Sequence, residues 1–371
     1  MLVCFLLVRI LTTYYPFYSR QKSTLQQLTR VQVVKIYQMS TNSTDFLNNS
    51  NSEPSGAGNF FEPVYDGCLI VLCIAVIFIN LSVLLLYAKR RQLQTKTNTL
   101  LVSLAVSDLL MGLCGIPLYI ACNAVRQESV CIAQAVVFRF SAVSTMFHIL
   151  AITGERYLSV IHPLQYISIV TGQRILRVIT CVWMVSLFVA LVQLSWVVSF
   201  GFFSDHSIKF TAALVYNCIG FGLCFAIPFL LMVVVYIQMF ITIHKQVQQI
   251  RKQSINLDSS SSRFRACHTQ LRALFIFALM LGMFAGSWVT WYVSIFQVYA
   301  SFSFLSEVSM MVFDFLRLGV SFINPLLYTF LKNDFREALM SFLRCKRANI
   351  DISASQTSGT TSHWKQHSSI L

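Results

Sequence analysis

Three hundred and seventy-one residues suffice for two or three soluble domains, yet only 11% are charged and 56% are hydrophobic, with mean hydropathy +0.65. Soluble proteins carry about 25% charged residues, so this supply excludes a cytosolic enzyme with a solvated exterior and disorder beyond short tails. The 28 basic and 14 acidic residues leave +14, but the bases sit in short connections between apolar runs, a pattern of membrane orientation and not of nucleic-acid binding.

In chain order, residues 1–63 form a polar tail. Within it, 1–38 have a short apolar start and a basic stretch, too short to span a membrane, and read as a 5′ extension ahead of Met39. Asn42-Ser-Thr and Asn48-Asn-Ser are glycosylation sequons. A helix crosses a bilayer with about 20 apolar residues, and seven stretches qualify: Gly67–Ala88, Asn98–Ala124, Ile132–Leu150, Val178–Ser204, Phe210–Ile243, Ala273–Tyr299 and Val308–Leu331. The predicted fold is an all-α integral membrane protein, a seven-helix bundle over residues 64–331. A short amphipathic helix lying on the membrane (332–345) and a regulatory tail (346–371) follow. Bases cluster after spans one, three and five (Lys89, Arg90 and Arg91; Arg174 and Arg177; Lys245, Arg251 and Lys252), whereas the alternate connections are near balance. The basic side is therefore expected to be cytoplasmic, with the N-terminus outside. The eleven cysteines contain no CxxC pair, so neither a zinc site nor a thioredoxin-type centre is indicated.

Several motifs fall on these helices in order. Asp108 stands in Ser-Leu-Ala-Val-Ser-Asp-Leu-Leu on span two, and Glu155-Arg156-Tyr157 closes span three. Trp183 lies in span four, Pro228 and Tyr236 in span five, and Phe284 and Trp288 in span six. Asn324-Pro325-Leu326-Leu327-Tyr328 closes span seven. Together they resemble the rhodopsin-like (class A) G-protein-coupled receptors over about residues 64–345.

The resemblance implies a plasma-membrane receptor, not an enzyme, that transmits an extracellular ligand signal to a heterotrimeric G protein. Arg156 is tethered by Glu155 in the silent form and released when span six swings outward, with Tyr236 and Tyr328 packing near it. It also implies a sodium ion at Asp108 with Thr145, Ser321 and Asn324, although Val320 stands where relatives carry an amide; a water-filled polar pocket is the safer expectation. Cys131 is stapled in the family to the second outer loop. Here the candidates are Cys218 and, competing with it, Cys122. No acid stands within Ile132–Leu150, where Phe138 takes the place of the amine-binding acid, so an amine ligand is not expected. No lysine stands in span seven, so an opsin is not expected. Span six lacks its usual proline (Ser287-Trp288-Val289-Thr290), which requires a bend from Gly282, Gly286 or hydroxyl back-bonding. Gln270 replaces an acid there, which predicts raised basal activity. Loss of coupling and, less favoured, a membrane transporter are the alternatives.

Depth follows from helical rise. Arg139 lies 17 residues from Arg156, roughly 26 Å, and Asp314 lies 14 residues from Tyr328, roughly 21 Å. Both charges fall in the outer half, with Arg317 one turn from Asp314 on the same face. Either a base simply pairs with Asp314, or two bases against one acid make a cavity for a small anionic molecule or a peptide. Phe138, Trp288 and Trp291 would supply apolar walls. In the tail, Cys345 between Arg344 and Lys346 is a palmitoylation candidate. The serines and threonines of 353–362 offer targets for a receptor kinase and arrestin, and Ser369-Ile370-Leu371 fits a PDZ ligand.

Overall fold

The computed structural model describes residues 63–197, 206–252, 257–299, 306–332, 334–338 and 340–341. The sequons at Asn42 and Asn48, the 5′ extension, Cys345 and the regulatory tail lie outside the described residues. The seven long apolar helices are Pro63–Lys89, Lys96–Val125, Glu128–Ile161, Gly172–Val192, Thr211–Ile250, Cys267–Phe296 and Val308–Thr329, hereafter spans one to seven. The chain is a multi-pass membrane protein: such helices satisfy every backbone group internally and can face lipid.

Helix ends depart from the apolar windows in both directions. Span three runs eleven residues beyond Leu150, through Glu155 and Arg156 to Ile161. A charge ends a hydrophobic window but not a helix, whose side chains can reach water at the membrane edge. Span four does the opposite, ending at Val192 well short of Ser204, with a turn at Gln193 despite the apolar composition that follows.

Polar anchors fix the helix faces. Asn80 of span one donates to the Ser321 carbonyl of span seven at 3.0 Å and is fully buried. His148 of span three meets the Ser103 hydroxyl at 2.8 Å, and the Trp183 indole donates to the same oxygen at 3.0 Å, tying spans two, three and four. Gly112 permits close approach of spans one and two: a Cβ there would meet Val76 and Ile77 carbons at 3.0 Å. Two helices carry π segments, Met111–Gly115 in span two and Gly220–Ala226 in span five. Each inserts a wider turn and re-aims the residues that follow, a feature common beside functional sites.

The disulfide differs from the pairing with Cys218. Cys131 is bonded to Cys122, whereas Cys218 is free and exposed on span five. Arg126 is the reason. It ends span two in the left-handed region (φ 55°), unusual for a residue with a Cβ, and its amide donates to the Cys122 carbonyl. That sharp turn brings the two cysteine Cα atoms to 4.9 Å.

Candidate functional site

At the end of span six that carries Trp288 and Trp291, spans three, five, six and seven converge on two guanidinium groups. Arg317 donates to Asp314 at 2.7 Å, and its side chain is only 4% exposed against 26% for the acid. Tyr119 donates to the other Asp314 oxygen at 3.1 Å, with Tyr65 beside it. The i, i+3 spacing on span seven makes the pair local, and burial of the base without its acid would be costly. Arg317 also lies 4.8 Å over the Phe138 ring and 6.0 Å from that of Trp288.

Arg139 takes no part in that pair. Its side chain donates to Asn217 of span five at 2.6 Å and stacks between the rings of Tyr216 (4.8 Å) and Trp291 (4.7 Å). The Tyr292 hydroxyl faces the same guanidinium. Among the described residues no carboxylate lies within ion-pair distance of it. Both arginines therefore contact the Trp291 indole, and only one has an acid. Tyr216, Asn217 and Tyr292 are partners that the sequence reading did not reach. Asn217 alone left a signal, as an amide in an otherwise apolar run.

Between this region and the membrane middle lies a cavity of about 20 Å³, enough for a water molecule, lined by Phe138, Thr145, Trp288, Arg317 and Ser321 among others. Below it Asp108 is fully buried and accepts from Asn324 at 3.3 Å and from Ser321. Among the described residues Asp108 Oδ1 and Asn324 Oδ1 find no hydrogen-bond partner. Buried acceptors without donors call for water or a cation, so this oxygen set fits the sodium ion expected with Thr145, Ser321 and Asn324. Val320 contributes no ligand.

At the opposite end, Arg156 forms the second cluster. Glu155, with its side chain 2% exposed, accepts from Arg156 Nε at 2.8 Å and from the Tyr166 hydroxyl at 2.6 Å. Arg156 also donates to Thr97 of span two. Burial first, and the Glu155 carboxylate next, push the Tyr166 phenol up to about 12, so it remains a donor at neutral pH. Tyr236 shares a hydrogen bond with Thr153 at 2.9 Å, and Tyr157 stacks edge-on against His162. Tyr328 is buried against Phe335 of the helical residues 334–338. Pro325 stands inside span seven. In span six, where a proline is missing, Ser287 and Thr290 donate to the Phe284 and Ser287 carbonyls, and Ser294 donates to Thr290. Hydroxyl back-bonding of this kind bends helices. Thr97, Tyr166 and Lys332, which donates to Asn98, also escaped the sequence reading.

A seven-helix membrane bundle with charged groups at one end and a tethered arginine at the other has the architecture of a transmembrane receptor. The profile described as 7 transmembrane receptor (rhodopsin family) matches residues 79–328. The chain belongs to that family, the class A G-protein-coupled receptors. It is similar to the histamine H2 receptor of Homo sapiens, 25% identical over 76% of this chain and 79% of that receptor. It is also similar to the adenosine receptor A2b of Gallus gallus (28%, covering 75% and 89%) and the 5-hydroxytryptamine receptor 4 of Rattus norvegicus (26%, covering 81% of each).

These relatives correct one expectation. Two of them are named for histamine and 5-hydroxytryptamine, which are amines, so the lack of an acid within Ile132–Leu150 does not exclude an amine ligand. The exclusion rested on one position, Phe138. An ammonium needs a carboxylate in the cavity and not on a given helix, and Asp314 is a partly exposed carboxylate on span seven.

Proposed function

We propose that this chain is a plasma-membrane receptor, N-terminus outside and C-terminus inside, that converts binding of an extracellular ligand into nucleotide exchange on a heterotrimeric G protein. The observation that carries this reading is the Arg156 cluster. Its guanidinium is held by Glu155 and Thr97 at the edge of the bundle, where a docking partner can reach it once the contacts open. Basic loops on that side support the orientation.

The ligand is held among Phe138, Arg139, Trp288, Trp291, Asp314 and Arg317. Two bases against one acid favour a small anionic molecule or a peptide. An amine, as the names of two relatives would have it, is the second reading, supported by the exposure of Asp314, and it would displace Arg317 from that acid. Sodium held by Asp108, Thr145, Ser321 and Asn324 would supply one positive charge against the buried carboxylate. Arrestin, a receptor kinase, a PDZ protein and membrane lipid are the further partners that the tail and the helix after span seven would engage.

The test is nucleotide exchange on purified heterotrimeric G protein with the receptor in lipid nanodiscs, across a compound library. Ligand-dependent exchange that vanishes in Arg156→Ala, with surface expression retained, supports the reading. Equal exchange in both proteins overturns it.

A further inference from the structure

The cluster around Arg139 differs from its neighbour in one respect. Arg317 has its acid, whereas Arg139 is 9% exposed and, among the described residues, is held by neutral groups: two aromatic faces, the Asn217 carbonyl oxygen and the Tyr292 hydroxyl. A guanidinium carries five N–H donors in a planar fork, and the hydrogen bonds to Asn217 and to the Tyr292 hydroxyl leave the others free. Aromatic faces stabilise a cation but accept none of those in-plane donors. Burying such a group without a counter-charge is unfavourable, so the protein maintains a cation ready for an anion.

The open edge of the fork is legible in the backbone. Gly220 of span five begins the π segment Gly220–Ala226, and a Cβ at that position would lie 3.7 Å from Arg139 Nη1 and 3.9 Å from the Tyr292 hydroxyl oxygen. The missing side chain thus leaves methyl-sized room beside Nη1, and the Cβ of a substituent at residue 220 would stand in van der Waals contact with it. Trp291, 4.7 Å from Arg139, and Phe221, stacked edge-on with Tyr292 at 4.9 Å, make its surroundings apolar and flat.

We infer that Arg139, with the slot left by Gly220, is a carboxylate-binding subsite, and that the receptor's ligand is a flat apolar molecule bearing one carboxylate. One unbalanced positive charge is matched by one negative charge. A phosphate monoester would bring close to two at neutral pH, and a bidentate carboxylate suits the planar fork. Arg317 is not part of this subsite because Asp314 already occupies it. The inference rests on the ligand site proposed above, but it is tested by binding and stability without a G protein, so its failure and the failure of the coupling reading are distinguishable.

The experiment uses the full chain in nanodiscs. Its probes are acetate, benzoate and indole-3-acetate as carboxylates, with tryptamine as the cationic counterpart of the last and inorganic phosphate as the competing anion. Indole-3-acetate or benzoate is expected to bind and raise the unfolding temperature, with affinity falling about 10- to 100-fold in Arg139→Gln. Tryptamine and phosphate are expected to do less. Gly220→Asp tests the same geometry with no ligand. Its carboxylate fills the slot, so it should raise the unfolding temperature of the wild type, abolish carboxylate binding, and lower the unfolding temperature in an Arg139→Gln background. Three results would overturn the inference: no carboxylate probe binds, carboxylates bind Arg139→Gln as well as wild type, or tryptamine binds in a manner lost in Asp314→Asn and unaffected by Arg139→Gln. Gly220→Asp destabilising both backgrounds equally would do the same even if Arg139→Gln failed to fold.

Discussion

Removing one oxygen atom from Tyr166 should switch the receptor partly on. Its hydroxyl donates to Glu155 Oε1 at 2.6 Å, and the same carboxylate holds Arg156 Nε at 2.8 Å. Tyr166→Phe leaves Glu155 one donor short and free to turn from the guanidinium. A hydrogen bond to a charged group contributes about 1.5–3 kcal/mol. Tyr166 is only half-buried, so the lower end applies. In the proposed mechanism the active form releases Arg156 and gains little from a fixed Glu155, so the loss falls on the silent form. About 1.4 kcal/mol is a tenfold change in an equilibrium, so an active population of about 1% would rise to about 10%. Ligand-free nucleotide exchange in nanodiscs reads this directly, and Thr97→Val should move it the same way by removing the other restraint on Arg156. A Tyr166→Phe rate within about twofold of wild type, at equal receptor density, would remove Glu155 as the tether. The tether also bears on Gln270: with Glu155 and Thr97 both engaged, the silent form keeps two restraints that need no acid on span six, so basal activity in the wild type should be modest.

Two further outcomes are expected. Burial lowers the Lys332 ammonium to about 8, with Asp334 opposing and Arg156 adding to the effect. The folded protein therefore binds that proton more weakly than the unfolded chain, and the cost at neutral pH is relieved as pH rises through about 8 toward the unfolded value near 10.4. Unfolding temperature should climb between pH 7 and pH 10 by an amount on the order of 2 kcal/mol in stability relative to Lys332→Met, and matched pH curves for the two proteins would refute it. Cys122→Ser should cost about 2–3 kcal/mol for a loop of this length whereas Cys218→Ser leaves the unfolding temperature unchanged; peptide mapping that links Cys131 to Cys218 would reverse the assignment.

The seven crossings were legible because the bilayer imposes one length on every apolar helix. The Asp314–Arg317 pair was legible because three residues bring side chains to one helical face. What escaped depends on how helices face each other. The Cys122–Cys131 bond follows from Arg126 adopting a left-handed turn that its residue type does not announce. The aromatic cage of Arg139 follows from how Tyr216 and Asn217 of span five, just ahead of its π segment, meet span three. Tyr166 stands in a connection of ordinary composition, and only packing shows that its hydroxyl reaches Glu155.

Those packing facts place span six against both arginines of span three. Trp291 lies 4.7 Å from the Arg139 guanidinium and 5.9 Å from that of Arg317, while Phe277, fourteen residues earlier on the same helix, lies 6.0 Å from Arg156. A ligand changes the equilibrium only by its differential affinity for two arrangements, so the arrangements must differ where ligand and partner are both felt. Between the two contacts stand Ser287 and Thr290, whose hydroxyls bond back to the Phe284 and Ser287 carbonyls. A proline would remove a backbone hydrogen bond there permanently. A hydroxyl competes for the carbonyl and can let it go, so the soft point of this helix is itself reversible. The small cavity beside Trp288 gives that point room on the side facing Thr145 and Ser321. Movement of Trp291 toward a neutralised Arg139 would therefore be passed along this helix to Phe277, and the restraint on Arg156 weakened without any change in span three itself.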